Sequence, residues 1–262
     1  MRLNVVEAGQ RGAPGLLFLH GISQGYGAWA GQLSSSAERF HVAAFDLRGH
    51  GASEKPYHAA AYHDEALWAE DVRAVMVGLE LHRPVLVAWS YGGIVALDYL
   101  KTLGTEEVAG LVLVAALTNN AVKKAAEYLG EGVEQLKAML SPEFEVQFAG
   151  TRAFTNELTA APLSADELTR QLALTMMTPP QVRFNLASRK VEHEQTLQGL
   201  DLPILCIHGE LDKVVRVSSS HHTVATAPNV SLKLYEKVGH LPFLEASERF
   251  NRDLAEFARS LT

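Results

Sequence analysis

The run Val85-Leu86-Val87-Ala88-Trp89-Ser90-Tyr91-Gly92-Gly93-Ile94-Val95-Ala96-Leu97 constrains this chain more than any other stretch. An apolar strand-forming segment, a turn of small residues and a helix-forming segment follow one another with no spacer, so a strand must feed directly into a helix. Other segments repeat the theme. Leu16–His20, Val42–Asp46 and Leu111–Ala115 read as buried strands, while Asp64–Glu80, with Leu67, Val72, Val75, Met76 and Leu79 at helical spacing, and Ile94–Leu103 read as crossover helices. This alternation predicts an α/β fold with a mostly parallel central sheet flanked by helices.

After Asn119-Asn120 the alternation stops, and the following stretch looks helical with no buried strand in it. Strand signals return at Ile204–His208 and Ser231–Tyr235, and Ala246–Leu261 closes the chain as an amphipathic helix carrying Phe250, Leu254 and Phe257. We therefore expect a core made of residues 1–119 and 201–262, interrupted by a helical cap insertion at 120–200. A chain of 262 residues suits one such core, since single cores stop growing near roughly 250–300 residues.

Composition removes several functions. The net charge of −7, with no long run of Lys or Arg, disfavours a nucleic-acid partner. No stretch reaches the roughly 18 apolar residues of a membrane span, and the N-terminus lacks the apolar core of a signal peptide, so the expectation is a cytoplasmic protein with no membrane partner. The single cysteine, Cys206, lies inside an apolar run and reads as a buried thiol. No His-x-x-x-His pair or carboxylate cluster has ligand spacing, so no metal is expected. Gly25-Tyr26-Gly27-Ala28-Trp29-Ala30 does satisfy the dinucleotide pattern G-x-G-x-x-A, with Asp46 beyond it at the end of a strand. Yet the preceding strand ends near His20, and Trp29 would crowd the helix start where a pyrophosphate must approach. A dehydrogenase is the rival this pattern raises, and no cofactor is expected.

Ser90 sits where a strained turn would expose a side chain, with Ala88 and Gly92 as small flanking residues. A serine hydroxyl is a poor nucleophile unless a base takes its proton and an acid orients that base. Asp212 follows the strand Ile204–His208, and His240 lies in Val238-Gly239-His240-Leu241-Pro242 after the next strand. The candidates thus fall in the order Ser, Asp, His. Glu210 is the competing acid, His208 reads as a structural strand end, and His221-His222 as a solvated helix face. Backbone N–H groups of Ile22, after Leu19-His20-Gly21, and of Tyr91, after the nucleophile, are the candidates for stabilising an oxyanion.

These motifs, together with Phe45-Asp46-Leu47-Arg48-Gly49-His50-Gly51-Ala52-Ser53 and His208-Gly209-Glu210-Leu211-Asp212, resemble the α/β-hydrolase superfamily, in particular its small esterase, enol-lactonase and cofactor-free haloperoxidase-like branch. The resemblance departs from the usual pattern at Ala88, which stands where a glycine is common. It implies that Asp46 to Ser53 is a structural loop beside the site and that 120–200 is the variable cap. The expected activity is hydrolysis of small to medium apolar carboxylic esters or lactones, with such a small molecule as the partner. Perhydrolysis or halogenation with peroxide, carbon–carbon bond cleavage, and a non-catalytic receptor on the same scaffold are the alternatives. Trp29 and Trp89 flank the reacting loops, and Met176 and Met177 fall in the cap with Met139, Phe144, Phe148, Phe154 and Phe184, so these are candidate pocket residues.

Overall fold

The computed structural model describes residues 1–121 and 126–261; residues 122–125 of the expected insertion lie outside the described residues. Seven strands, β1 (Val5–Ala8), β2 (Gly15–Leu19), β3 (His41–Phe45), β4 (Val85–Trp89), β5 (Gly110–Val114), β6 (Ile204–Gly209) and β7 (Val230–Tyr235), form one sheet in the order β1-β3-β2-β4-β5-β6-β7. All neighbours are parallel except β1, which pairs antiparallel with β3 from Val5↔Phe45 to Ala8↔Val42. Every residue of β2 to β6 is buried. Helices on both faces of a parallel sheet demand this, and it is why those strands read as unbroken apolar runs. Strand β1 was not predicted: it is four residues long and only partly buried, so it carries neither a long run nor a strict alternation.

Chain order reverses beside β2, which has β3 on one side and β4 on the other. In open α/β sheets the crevice at such a reversal, beyond the carboxyl ends of the strands, is where ligands bind. The loops after β2 and β4 open there, carrying Ile22 and Ser90.

Between β5 and β6 the described residues form short helices, among them Phe144–Asn156, Ala165–Met176 and Pro180–Ser188. The segment folds around its own staple. Buried Arg183 donates to the carbonyls of Met139 at 3.0 Å and Thr175 at 2.6 Å, near the C-terminal ends of two helices, where a cation offsets the partial negative charge. Among the described residues, no helix is long and apolar enough to cross a membrane.

Candidate active site

Strand β4 ends at Trp89 and the next helix, Tyr91–Leu103, begins at once, so Ser90 alone makes the turn. That helix starts three residues before the expected Ile94. The Gly92-Gly93 pair is not a breaker ahead of the helix but its first turn. A Cβ on Gly92 would lie 2.6 Å from the Leu19 carbonyl oxygen and 2.9 Å from that of His20, so only glycine lets the helix approach β2 this closely. Ser90 itself has φ 55° and ψ −120°, a backbone state that costs a non-glycine residue roughly 1–3 kcal/mol. Surrounding bonds hold it: Ser90 N–H donates to Val114 O at 3.0 Å, and Ser90 O accepts from Gly93 and Leu117 N–H, each at 3.0 Å. The extra methyl of Ala88 is fully buried in the sheet.

Asp212 lies in the turn after β6. Its Oδ1 accepts the N–H groups of Val214 (2.8 Å) and Val215 (3.0 Å), and its Oδ2 lies 2.7 Å from His240 Nδ1. A carboxylate on Nδ1 places the imidazole proton there and leaves Nε2 bare to accept another. Burial pushes the Asp212 carboxyl up, but the adjacent His240 and His208 outweigh it and hold the group well below the usual carboxylate range. Glu210 is exposed and forms no hydrogen bond or ion pair with either histidine among the described residues.

His208 is more than a strand end. Its Nε2 lies 3.1 Å from Asp212 Oδ2 and 2.8 Å from Val215 O, and its Nδ1 lies 2.7 Å from Ser220 Oγ. With two acceptors facing Nε2, that nitrogen carries hydrogen, and Ser220 can donate to Nδ1. Sequence reading missed this contact, although the four-residue spacing from His208 to Asp212 (212 − 208) across a tight turn is its trace.

The His240 loop is fastened from three sides. Glu245, also missed from sequence, accepts the N–H groups of Gly239 (3.0 Å) and Leu241 (3.2 Å) on either side of the histidine. His240 N–H donates to Leu158 O at 2.9 Å, and Trp89 Nε1 donates to His240 O at 2.9 Å with the two rings 5.5 Å apart. Trp89 precedes Ser90, so this bond ties the histidine loop to the serine turn. Ser90 Oγ makes no hydrogen bond among the described residues; in ligand-free sites the bond between nucleophile and base is often long and tightens with substrate.

Ile22 and Tyr91 line one cavity with Ser90, about 140 Å³ in volume. Neither backbone N–H has an acceptor among the described residues. Two buried imidazoles fix the loop around Ile22. His20 Nδ1 bonds Gly21 O at 2.8 Å while its Nε2 accepts Leu47 N–H at 2.9 Å; His50 Nδ1 bonds Arg48 O at 2.9 Å while its Nε2 accepts Ser23 N–H at 3.1 Å. Burial pulls His20 down to about 4 and His50 well below its ordinary value, so both stay neutral and keep these acceptor nitrogens.

Four expected pocket residues go elsewhere. Trp29 is fully buried against Phe18, Phe243 and Phe250, Trp89 packs on Phe243 and His240, and Met177 is largely exposed; neither they nor Met176 line the cavity. The tryptophans are too large to leave out of the core beside them, and Met176 and Met177 end a helix whose buried face is set by Gln171 and Thr175. Of Phe144, Phe148, Phe154 and Phe184, only Phe154 lines the cavity among the described residues, together with Leu129, Val133, Leu136, Leu186, Val214 and Val215. Asp46, the acid of the dinucleotide pattern, is buried and accepts from Tyr26 N–H, Ala52 N–H and Asn4 Nδ2, each at 2.8 Å, which leaves it bound to its own loop.

The structure resembles that of the esterase RhEst1 from Rhodococcus sp. ECU1013, with a TM-score of 0.94 and 33% identity over 99% of this chain and 95% of that one. A non-heme haloperoxidase of Rhodococcus erythropolis is 26% identical over 94% of this chain and 92% of its own length. The AB hydrolase superfamily protein YisY of Bacillus subtilis is 25% identical over 94% of this chain and 91% of its own. The model of the α/β hydrolase fold matches residues 14–247, from the start of β2 past the His240 loop, and the chain belongs to that family.

Proposed function

We propose that this hydrolase cleaves small carboxylic esters or lactones through an acyl-enzyme on Ser90. His240 Nε2 takes the Ser90 hydroxyl proton as Oγ attacks the carbonyl carbon, and the carbonyl electron pair moves onto oxygen. The N–H groups of Ile22 and Tyr91 stabilise that oxyanion. Collapse expels the alcohol, which leaves with the proton held by His240. Water then attacks the acyl group, again losing its proton to His240, and the acyl–Oγ bond breaks as His240 returns that proton to Ser90 Oγ and the acid is released. Asp212 keeps the imidazole in the required tautomer and stabilises the imidazolium. The observation that carries this reading is the strained Ser90 turn opening into a cavity between two unpaired N–H groups, with a carboxylate-bound imidazole fastened to the same turn through Trp89.

We further propose residues 120–200 as the cap that shapes the substrate pocket, and the cytoplasm as the compartment. At about 140 Å³ the cavity is close to the roughly 150 Å³ that accommodates benzene, so a single ring or a short chain is the fitting apolar part. Purified protein is expected to hydrolyse 4-nitrophenyl butyrate and hexanoate, and Ser90→Ala to lose on the order of 10⁴-fold or more in kcat. A variant retaining the wild-type rate would remove Ser90 from the mechanism. The likeness to a haloperoxidase supports a second reading, in which hydrogen peroxide replaces water in resolving the acyl-enzyme. Peroxide-dependent halogenation in acetate buffer, abolished by Ser90→Ala, tests it.

A further inference from the structure

Among the described residues, Lys190 is the one charged residue that lines the cavity, and it is exposed to solvent. Among the described residues the lining is otherwise apolar except for Ser90, Asn120 and Tyr91, and the Tyr91 hydroxyl is buried and bonded by Arg189 at 3.4 Å. Lys190 Nζ has no carboxylate partner among the described residues; its single contact is a long one, 3.4 Å, to the carbonyl of Ala187, which lines the same cavity.

Its backbone, by contrast, is pinned on both sides. Asn120 Nδ2 donates to Arg189 O at 2.9 Å, Val191 N–H donates to Asn120 Oδ1 at 2.7 Å, and Asn120 N–H donates to Val191 O at 3.0 Å. The Arg189 side chain points the other way, into the core, where it pairs with fully buried Asp98 at 2.8 Å. One asparagine thus brackets Lys190 front and back, while the preceding residue is anchored by a buried ion pair. A backbone held on both sides thus sets beside an apolar cavity a lysine whose ammonium has no carboxylate partner among the described residues, and an anion can pair with it there.

We propose that Lys190 forms a carboxylate subsite, so that the preferred substrate is a small apolar ester bearing a carboxylate at the end remote from the scissile bond, such as a hemiester of a short dicarboxylic acid. This inference rests on the ester-hydrolase reading above and adds the substrate class to it. A net charge of −7 repels such an anion from the molecule as a whole, an effect that a local cation offsets.

The test compares two substrates of equal acyl length, mono-4-nitrophenyl adipate and 4-nitrophenyl hexanoate, in wild type, Lys190→Met, Lys190→Arg and Lys190→Glu. The ratio of kcat/KM for the adipate hemiester to that for the hexanoate ester is expected to fall about fivefold to tenfold in Lys190→Met, to fall further in Lys190→Glu, and to hold within about twofold in Lys190→Arg. Equal melting temperatures for the set would show that folding is not the cause. A ratio unchanged in Lys190→Met and Lys190→Glu overturns the subsite while leaving ester hydrolysis standing. If neither ester is cleaved, the hydrolase reading fails separately, and calorimetric titration with adipate still decides: equal affinity in wild type and Lys190→Met, or no binding to either, overturns the subsite.

Discussion

The two walls of the cavity are built by different physics. On the core side each of the proposed reacting groups is held by directional bonds: Ser90 by three backbone bonds, Asp212 by two amides and two imidazoles, and the His240 loop by Glu245, Leu158 and Trp89. From residues 120–200 the lining is mostly hydrocarbon, Leu129, Val133, Leu136, Phe154 and Leu186, with Asn120 and Lys190 beside it. Hydrogen bonds fix angles and distances to within tenths of an ångström, whereas apolar packing fixes mainly volume. On the mechanism proposed above, the chemistry is therefore locked into the core, and selectivity is left to a surface that can be recut without disturbing it.

The largest effect that would break this contrast is on the locked side. Asp212→Asn keeps the shape but presents an amide to His240 Nδ1 and favours the wrong tautomer, and the expected loss in kcat is on the order of 10⁴-fold with little change in KM. Steady-state kinetics on a short nitrophenyl ester check it. A loss below tenfold would mean that the carboxylate does not orient the base, and the directional description of the core wall would fall with it.

Next in size is a pH effect on stability. His20 is pulled down to about 4 in the folded protein by burial, while the unfolded chain protonates near its ordinary value of about 6.5. Between these values the unfolded state binds more protons, so stability is full above about pH 6.5 and is lost as the pH falls toward 4, by up to about 3 kcal/mol from this residue. His50 adds in the same direction. Urea melts from pH 7.5 to 4.5 are expected to show this slope, and His20→Asn to be less stable at pH 7.5 yet flatter across the range. Parallel curves for the two proteins would show that this loop is not held by a neutral imidazole.

The same contrast governs what could be read in the sequence. Strands β2 to β6 were legible because burial on both faces writes itself as uninterrupted apolar runs, and the contact of Asp212 with His240 could be expected because each follows a strand of the same sheet in a fixed order. The helix start at Tyr91 was not, since Gly92 and Gly93 signal a turn locally and only the proximity of the Leu19 and His20 carbonyls explains them as packing glycines. Nor was the Asn120 clamp on Arg189 and Val191, which joins residues about seventy positions apart and leaves no periodic trace. Trp29 and Trp89 were near the reacting loops in sequence, but their size commits them to the core. Among the aromatics of residues 120–200, helical spacing states which residues share a face and not which face meets a cavity, so Phe154 was indistinguishable from Phe144 and Phe184.

Phe154 gives the smallest and most selective test of the apolar wall. It is almost fully buried and lines the same cavity as Ser90. Phe154→Leu removes ring atoms from that wall without adding a polar group, so it lengthens the space for an acyl chain and leaves the bonds around Asp212 and His240 untouched. One methylene in an apolar pocket is worth about 1–3 kcal/mol of discrimination, and partial collapse of the wall will absorb some of it. The ratio of kcat/KM for 4-nitrophenyl octanoate to that for the butyrate is therefore expected to rise about threefold to tenfold, with kcat for the butyrate within about twofold of wild type. A uniform fall in kcat for both esters, with their ratio unchanged, would show that the cap wall acts on the reacting groups themselves, and the division of labour between the two walls would have to be abandoned.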